Sequence, residues 1–80
     1  MKIRVEVKLK PGHFDPEGDV TAKSLRDLGF PVKDVKVGKL YIVDVEVDNS
    51  KEALKIAEDM CKKLLANPVK DDYSIEVLPT

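Results

Sequence analysis

From its second residue the chain alternates. In "KIRVEVKLK", residues 2–10, Ile3, Val5, Val7 and Leu9 fall on one side, and Lys2, Arg4, Glu6, Lys8 and Lys10 on the other. Period two predicts a strand with one face buried and its charged face in water. "PGHF" at 11–14 interrupts the alternation, and Asp15-Pro16 then opens a helix. Asp15 is placed as its N-cap and Pro16 at the first helical position, where a missing N–H costs nothing. Val20, Leu25 and Leu28 give this helix an apolar side, and Gly29 with Pro31 ends it. Gly18 is out of place in the first turn, being about 1 kcal/mol poorer than alanine as a helix former.

Val32, Val35 and Val37 predict a second strand, which turns through Gly38-Lys39 into a third, "LYIVDVEV" at 40–47. There Tyr41, Val43, Val45 and Val47 share a face. In "DNSKEALKIAEDMCKKLLAN" the period changes: Ala53, Leu54, Ala57, Met60, Cys61, Leu64 and Leu65 gather on one side at helical spacing. Asn49 and Glu52 have the separation of a capping box, and Asn67-Pro68 stops the helix. A last strand, "YSIEV", alternates Tyr73, Ile75 and Val77 against Ser74 and Glu76. The order β-α-β-β-α-β predicts an α+β domain of the ferredoxin-like plan: a four-stranded antiparallel sheet with two helices on one face. It spans 1–80 as a single domain.

So short a chain buries only about 60–65% of the surface it exposes when unfolded, and its core is thin. One cysteine rules out an internal disulfide, and one cysteine with one histidine speaks against a zinc cage. Self-association is the reinforcement that remains. The 14 basic residues nearly balance the 15 acidic ones, for a net charge of −1, so nothing draws the chain to nucleic acid or an anionic membrane. No apolar run nears the roughly 20 residues that span a bilayer. "MKIRVEVKLK" lacks the apolar centre of a signal peptide, and a reducing, cytoplasmic setting is expected.

Candidate chemistry is sparse. A reactive thiol needs exposure and a positive neighbourhood, whereas Cys61 lies mid-stripe in the second half of its helix, as a small buried hydrophobe. His13 falls in a loop. Asp15, Glu17 and Asp19 cluster, but the distal ligands of a calcium loop are missing, and acidic residues suit a first helical turn. "VGKL" at 37–40 has neither the earlier glycine nor the Ser or Thr of a phosphate loop. It reads as a hairpin whose lysine reaches a partner or a phosphate. The first strand displays Arg4, Glu6 and Lys8 where an RNA-stacking sheet would show aromatics. No catalytic constellation and no metal site is expected. Leu40 and Ile42, on the face opposite Tyr41 and Val43, would stand in water, which predicts a homo-oligomer formed through the sheet.

Three stretches carry a resemblance: "DPEG" at 15–18, "VKVGK" at 35–39 and "MCKKLLANPVKDDYSIEV" at 60–77. Together they resemble, in order and spacing, the PurS family, the small subunit of phosphoribosylformylglycinamidine (FGAM) synthase. The resemblance covers nearly the whole chain, and "PGHF" departs from it without touching a motif. It implies a part in the fourth step of purine synthesis. There formylglycinamide ribonucleotide, glutamine, ATP and water give formylglycinamidine ribonucleotide, glutamate, ADP and phosphate. A glutaminase subunit releases ammonia, and a large synthetase subunit uses ATP and magnesium. The small subunit binds no cofactor and contributes no catalytic residue. It associates with itself as a dimer or tetramer and docks glutaminase onto synthetase. Asp15, Pro16, Gly18, Gly38, Lys39, Asn67, Pro68, Asp72 and Tyr73 match family motifs. Of these, Asp15, Pro16, Gly18 and Lys39, with Leu40 and Ile42, are the candidate subunit contacts. Asp15-Pro16 reads equally well as a cap, whereas Asn67-Pro68 reads first as a helix stop. The alternative is a free-standing ferredoxin-like module that binds a small ligand.

Overall fold

The computed structural model describes residues 1–79, so the single domain expected over 1–80 reaches one residue beyond them. The first alternating stretch is strand β1, Lys2–Leu9, and it takes the centre of the sheet. Strands β2, Lys39–Asp44, and β3, Asp71–Val77, flank it, both antiparallel, in the order β2-β1-β3. Val5 stands opposite Tyr41 on one side and Ile75 on the other. That register puts Ile3, Val5, Val7, Tyr41, Val43, Tyr73, Ile75 and Val77 on one face.

Helix α2, Ser50–Met60, covers this face over β1 and β3. Asn49 caps it, its Oδ1 accepting from the N–H groups of Lys51 and Glu52 at 2.8 and 3.2 Å. Ala53 and Ala57 bring the helix close to the strands, and Cys61 completes the buried row with Ile3, Val5 and Val7. Past Met60 the helix widens into a π turn, Cys61–Leu65, closed by Ala66 N–H on the Cys61 carbonyl at 3.0 Å. The extra residue in that turn shifts the angular register. Leu65 stays against the core, while Leu64, counted into the apolar stripe from its spacing, points to solvent, as does Leu54.

Two expectations fail. The sheet has three strands among the described residues, because Val32–Val37 joins no ladder. A two-residue hairpin at Gly38-Lys39 would need the left-handed backbone of a primed turn, and Gly38 does not adopt it. The chain instead passes Gly38 without reversing. It lies so close to β1 that a Cβ at Gly38 would come within 2.9 Å of the Val7 carbonyl. β2 ends at Asp44 rather than Val47, with the Val45 N–H on the carbonyl of Met1 at 2.8 Å.

The helices also fail to share a face. Helix α1, Pro16–Asp27, packs on no strand in the way α2 does. Of its expected apolar side, Val20 and Leu28 are exposed and Leu25 is half-buried; Gly18 and Ala22 are the residues it buries. With residues 28–37 it forms an arm beyond the end of the sheet. The molecule is accordingly long, 48 × 28 × 14 Å, with a radius of gyration of 15.9 Å. A compact chain of this length would have about 12 Å.

Candidate functional site

The arm is joined to the sheet through Asp15. Its extended backbone precedes α1, and Oδ1 accepts the N–H of Gly18 at 2.9 Å. The other oxygen, Oδ2, accepts the N–H of Val37 at 2.7 Å, which lies just before β2. Asp15 is 7% exposed, and both its oxygens are used within the chain. The Val37 N–H first, then that of Gly18, holds this carboxyl below the usual carboxylate range; the Lys36 ammonium adds to them, and burial opposes them. Glu17 and Asp19 follow in the first turn, where the positive end of the helix favours them.

Gly18 forms the other half of the clasp. A Cβ there would overlap the Val35 carbonyl oxygen and lie 2.9 Å from Asp15 Oδ2. The close-approaching backbone that this glycine admits therefore belongs to its own chain. Pro16, at the first helical position, is exposed. Lys39 opens β2 opposite Val7, exposed, on a shallow cleft that it shares with Lys8, Lys36 and Glu6. Asp15, Pro16, Gly18 and Lys39 are thus gathered at one end of the sheet, linked through Val37.

Leu40 and Ile42 lie elsewhere, on the sheet face that α2 leaves bare. Each is 54% exposed, and they stand opposite Glu6 and Arg4, which pair with each other at 3.5 Å. Among the remaining matched positions, Asn67 builds the turn into β3: its Oδ1 accepts Val69 N–H at 2.9 Å, and its own N–H donates to Asp71 Oδ2 at 2.9 Å. Asp72 pairs with Lys10 at 3.2 Å.

Cys61 is fully buried, and burial first, then the Glu58 carboxylate, pushes its thiol up. His13 is exposed in its loop, so the two share no cleft. Among the described residues no group of three or more His, Cys, Asp and Glu is placed to hold a metal. None of their helices is long and apolar enough to cross a membrane. The sequence reading missed Val35 and Val37 as partners of Asp15 and Gly18. Spacing within a helix reveals a cap, but carries no signal for an acceptor oxygen aimed 22 residues ahead.

Comparison with known proteins agrees with this shape. The sequence profile of the family PurS, phosphoribosylformylglycinamidine (FGAM) synthase, matches residues 2–79. The phosphoribosylformylglycinamidine synthase subunit PurS of Archaeoglobus fulgidus is 49% identical over 72 residues, 89% of this chain and 90% of that one. The crystal structure of Methanocaldococcus jannaschii PurS superposes with a TM-score of 0.84 at 43% identity, covering 94% of this chain and 92% of that one. A chain in the structure of PurLQS from Thermotoga maritima superposes with a TM-score of 0.87 at 33% identity, covering 96% and 95%. With a profile match from the first strand to the residue after Leu78, and the same fold at this identity, the chain belongs to the PurS family of FGAM synthase subunits.

Proposed function

We propose that this chain is a non-catalytic assembly subunit of FGAM synthase. In this role it associates with itself as a dimer or tetramer and docks the glutaminase onto the synthetase. Ammonia released from glutamine then crosses a joint that excludes water, instead of being protonated and lost to solvent. ATP and magnesium belong to the synthetase, this subunit binds no cofactor of its own, and the complex works in the cytoplasm.

The observation that carries this reading is where the chain spends its reactive groups. The one thiol is buried and the one carboxylate buried among the described residues accepts two backbone N–H groups, while Leu40, Ile42 and Lys39 remain on the surface. Such a chain offers contact area and little chemistry. The relative found in a PurLQS structure supports the same role.

Mixing the chain with the synthetase and glutaminase subunits tests it. Glutamine-driven formation of FGAM is expected to depend on the chain, and ammonia-driven formation to depend on it less. Equal glutamine-driven rates with and without the chain would overturn the proposal.

A further inference from the structure

Past Val7, β1 has no strand beside it on the β2 side. Along residues 1–10 the odd-numbered main chain turns toward β2, as the Met1 carbonyl does in accepting the Val45 N–H at 2.8 Å. The even-numbered main chain turns toward β3. There the Lys2 carbonyl accepts the Leu78 N–H at 2.9 Å, and the Lys10 N–H reaches the Lys70 carbonyl at 2.8 Å. By this alternation Leu9 presents both its N–H and its C=O to the β2 side. The ladder there ends at Val7 opposite Lys39. Val37 would come next, but its N–H is committed to Asp15, and the two chains part. Among the described residues neither main-chain group of Leu9 finds a hydrogen-bond partner.

The gap is a cleft of about 170 Å³, several times the roughly 30 Å³ share of one water. Gly38 and Lys39, from the "VGKL" stretch, form the wall that faces Leu9. Lys8, Lys39 and Lys70 line the cleft, and none of the three makes an ion pair among the described residues. Asp71 is the one carboxylate on the lining, and its Oδ2 already accepts the Asn67 N–H at 2.9 Å. Three ammonium groups against one engaged carboxylate make a positive concavity on a chain whose net charge is −1.

We propose that the gap between Leu9 and Lys39 binds a phosphate group. Its oxygens accept from the Leu9 N–H and from the ammonium groups around it, lysine acting on phosphate as a point charge. A phosphate hydroxyl donates to the Leu9 carbonyl, which satisfies the second open group of that main chain. The chemistry suits free phosphate or the phosphate end of a small nucleotide. Binding here goes beyond the assembly role and does not depend on it.

Titrating the full chain with sodium phosphate at constant ionic strength tests the site, with backbone amide shifts as the readout. The Leu9 amide is expected to move saturably with phosphate and to stay still with chloride. Sulfate at neutral pH has no proton for the Leu9 carbonyl, and is expected to bind about tenfold more weakly. Lys39→Gln and Lys70→Gln are each expected to weaken phosphate about tenfold, the loss of one charge-assisted contact. Lys55→Gln, the same charge change at an exposed position of α2, is expected to leave binding as it was. A nucleoside 5′-monophosphate that moves the same amide about tenfold more tightly than phosphate identifies a nucleotide as the ligand, and equal affinities identify free phosphate. A Leu9 amide that ignores phosphate, sulfate that binds as tightly, or a loss at Lys55→Gln equal to that at Lys39→Gln would each overturn the site.

Discussion

Around Val5 the sheet and α2 meet through the apolar side chains of Ile3, Val7, Ala53 and Ala57 and the thiol of Cys61. Around Asp15, by contrast, the arm is held by one carboxylate and one missing Cβ. The first contact is non-directional and sums many small contributions. The second depends on two hydrogen bonds of fixed direction and on a single close approach. The first half therefore supplies stability, while the second sets where α1 and the start of β2 stand relative to the sheet. An arm held this way can present a surface that its own chain does not cover.

The largest effect is expected in the sheet half. Ile3→Ala should cost about 2–5 kcal/mol in urea unfolding, as a fully buried aliphatic truncation does. A smaller loss would mean that α2 is not the cover that the buried row requires. Next comes Gly18→Ala. On an exposed helix this change stabilises, but here its Cβ meets backbone oxygen, and a cost of about 1–3 kcal/mol is expected. Amide exchange should quicken in 15–37 and stay slow in β1. A stabilised variant would remove the close approach from the comparison.

Asp15→Asn acts on the same clasp through charge. The carboxyl is depressed in the folded chain, so it contributes stability above the ordinary aspartate value of about 3.9. That contribution disappears as pH falls below this value toward the folded one. The native chain should therefore lose stability on acidification in that window, and Asp15→Asn should lose less there. Parallel curves would mean that the clasp is not ionic. The smallest effect on stability is expected from Leu40→Ser with Ile42→Ser, within about 0.5 kcal/mol for exposed positions. Glutamine-driven synthesis should nonetheless fall, and an unchanged rate would take the outer face of the sheet out of the docking surface.

Alternation made β1 and β3 legible to within a residue or two, and helical spacing with Asn49 at its head made α2 legible as well. The burial of Cys61 followed from its place in that stripe. The arm was not legible in the same way. "VKDVKV" has the pattern of a strand, and pattern says which residues can lie extended but not which edge they will meet. Leu64 was misplaced because a π turn adds a residue without any change in composition. Candidate contacts divided similarly: Leu40 and Ile42 were readable as an exposed pair, while the internal partners of Asp15 and Gly18 were not.

The sequence by itself determined which residues are apolar and at what period, and hence the central strand, the packed helix, the buried thiol and the absence of strong net charge. Whether residues 32–37 fold back on β2 or run on to meet α1 was decided only in three dimensions. There an aspartate oxygen, a glycine without a side chain and a backbone that never enters the left-handed region at Gly38 act together across the chain. Periodicity is local and survives in any fold, whereas closure of a hairpin depends on contacts between residues far apart in sequence.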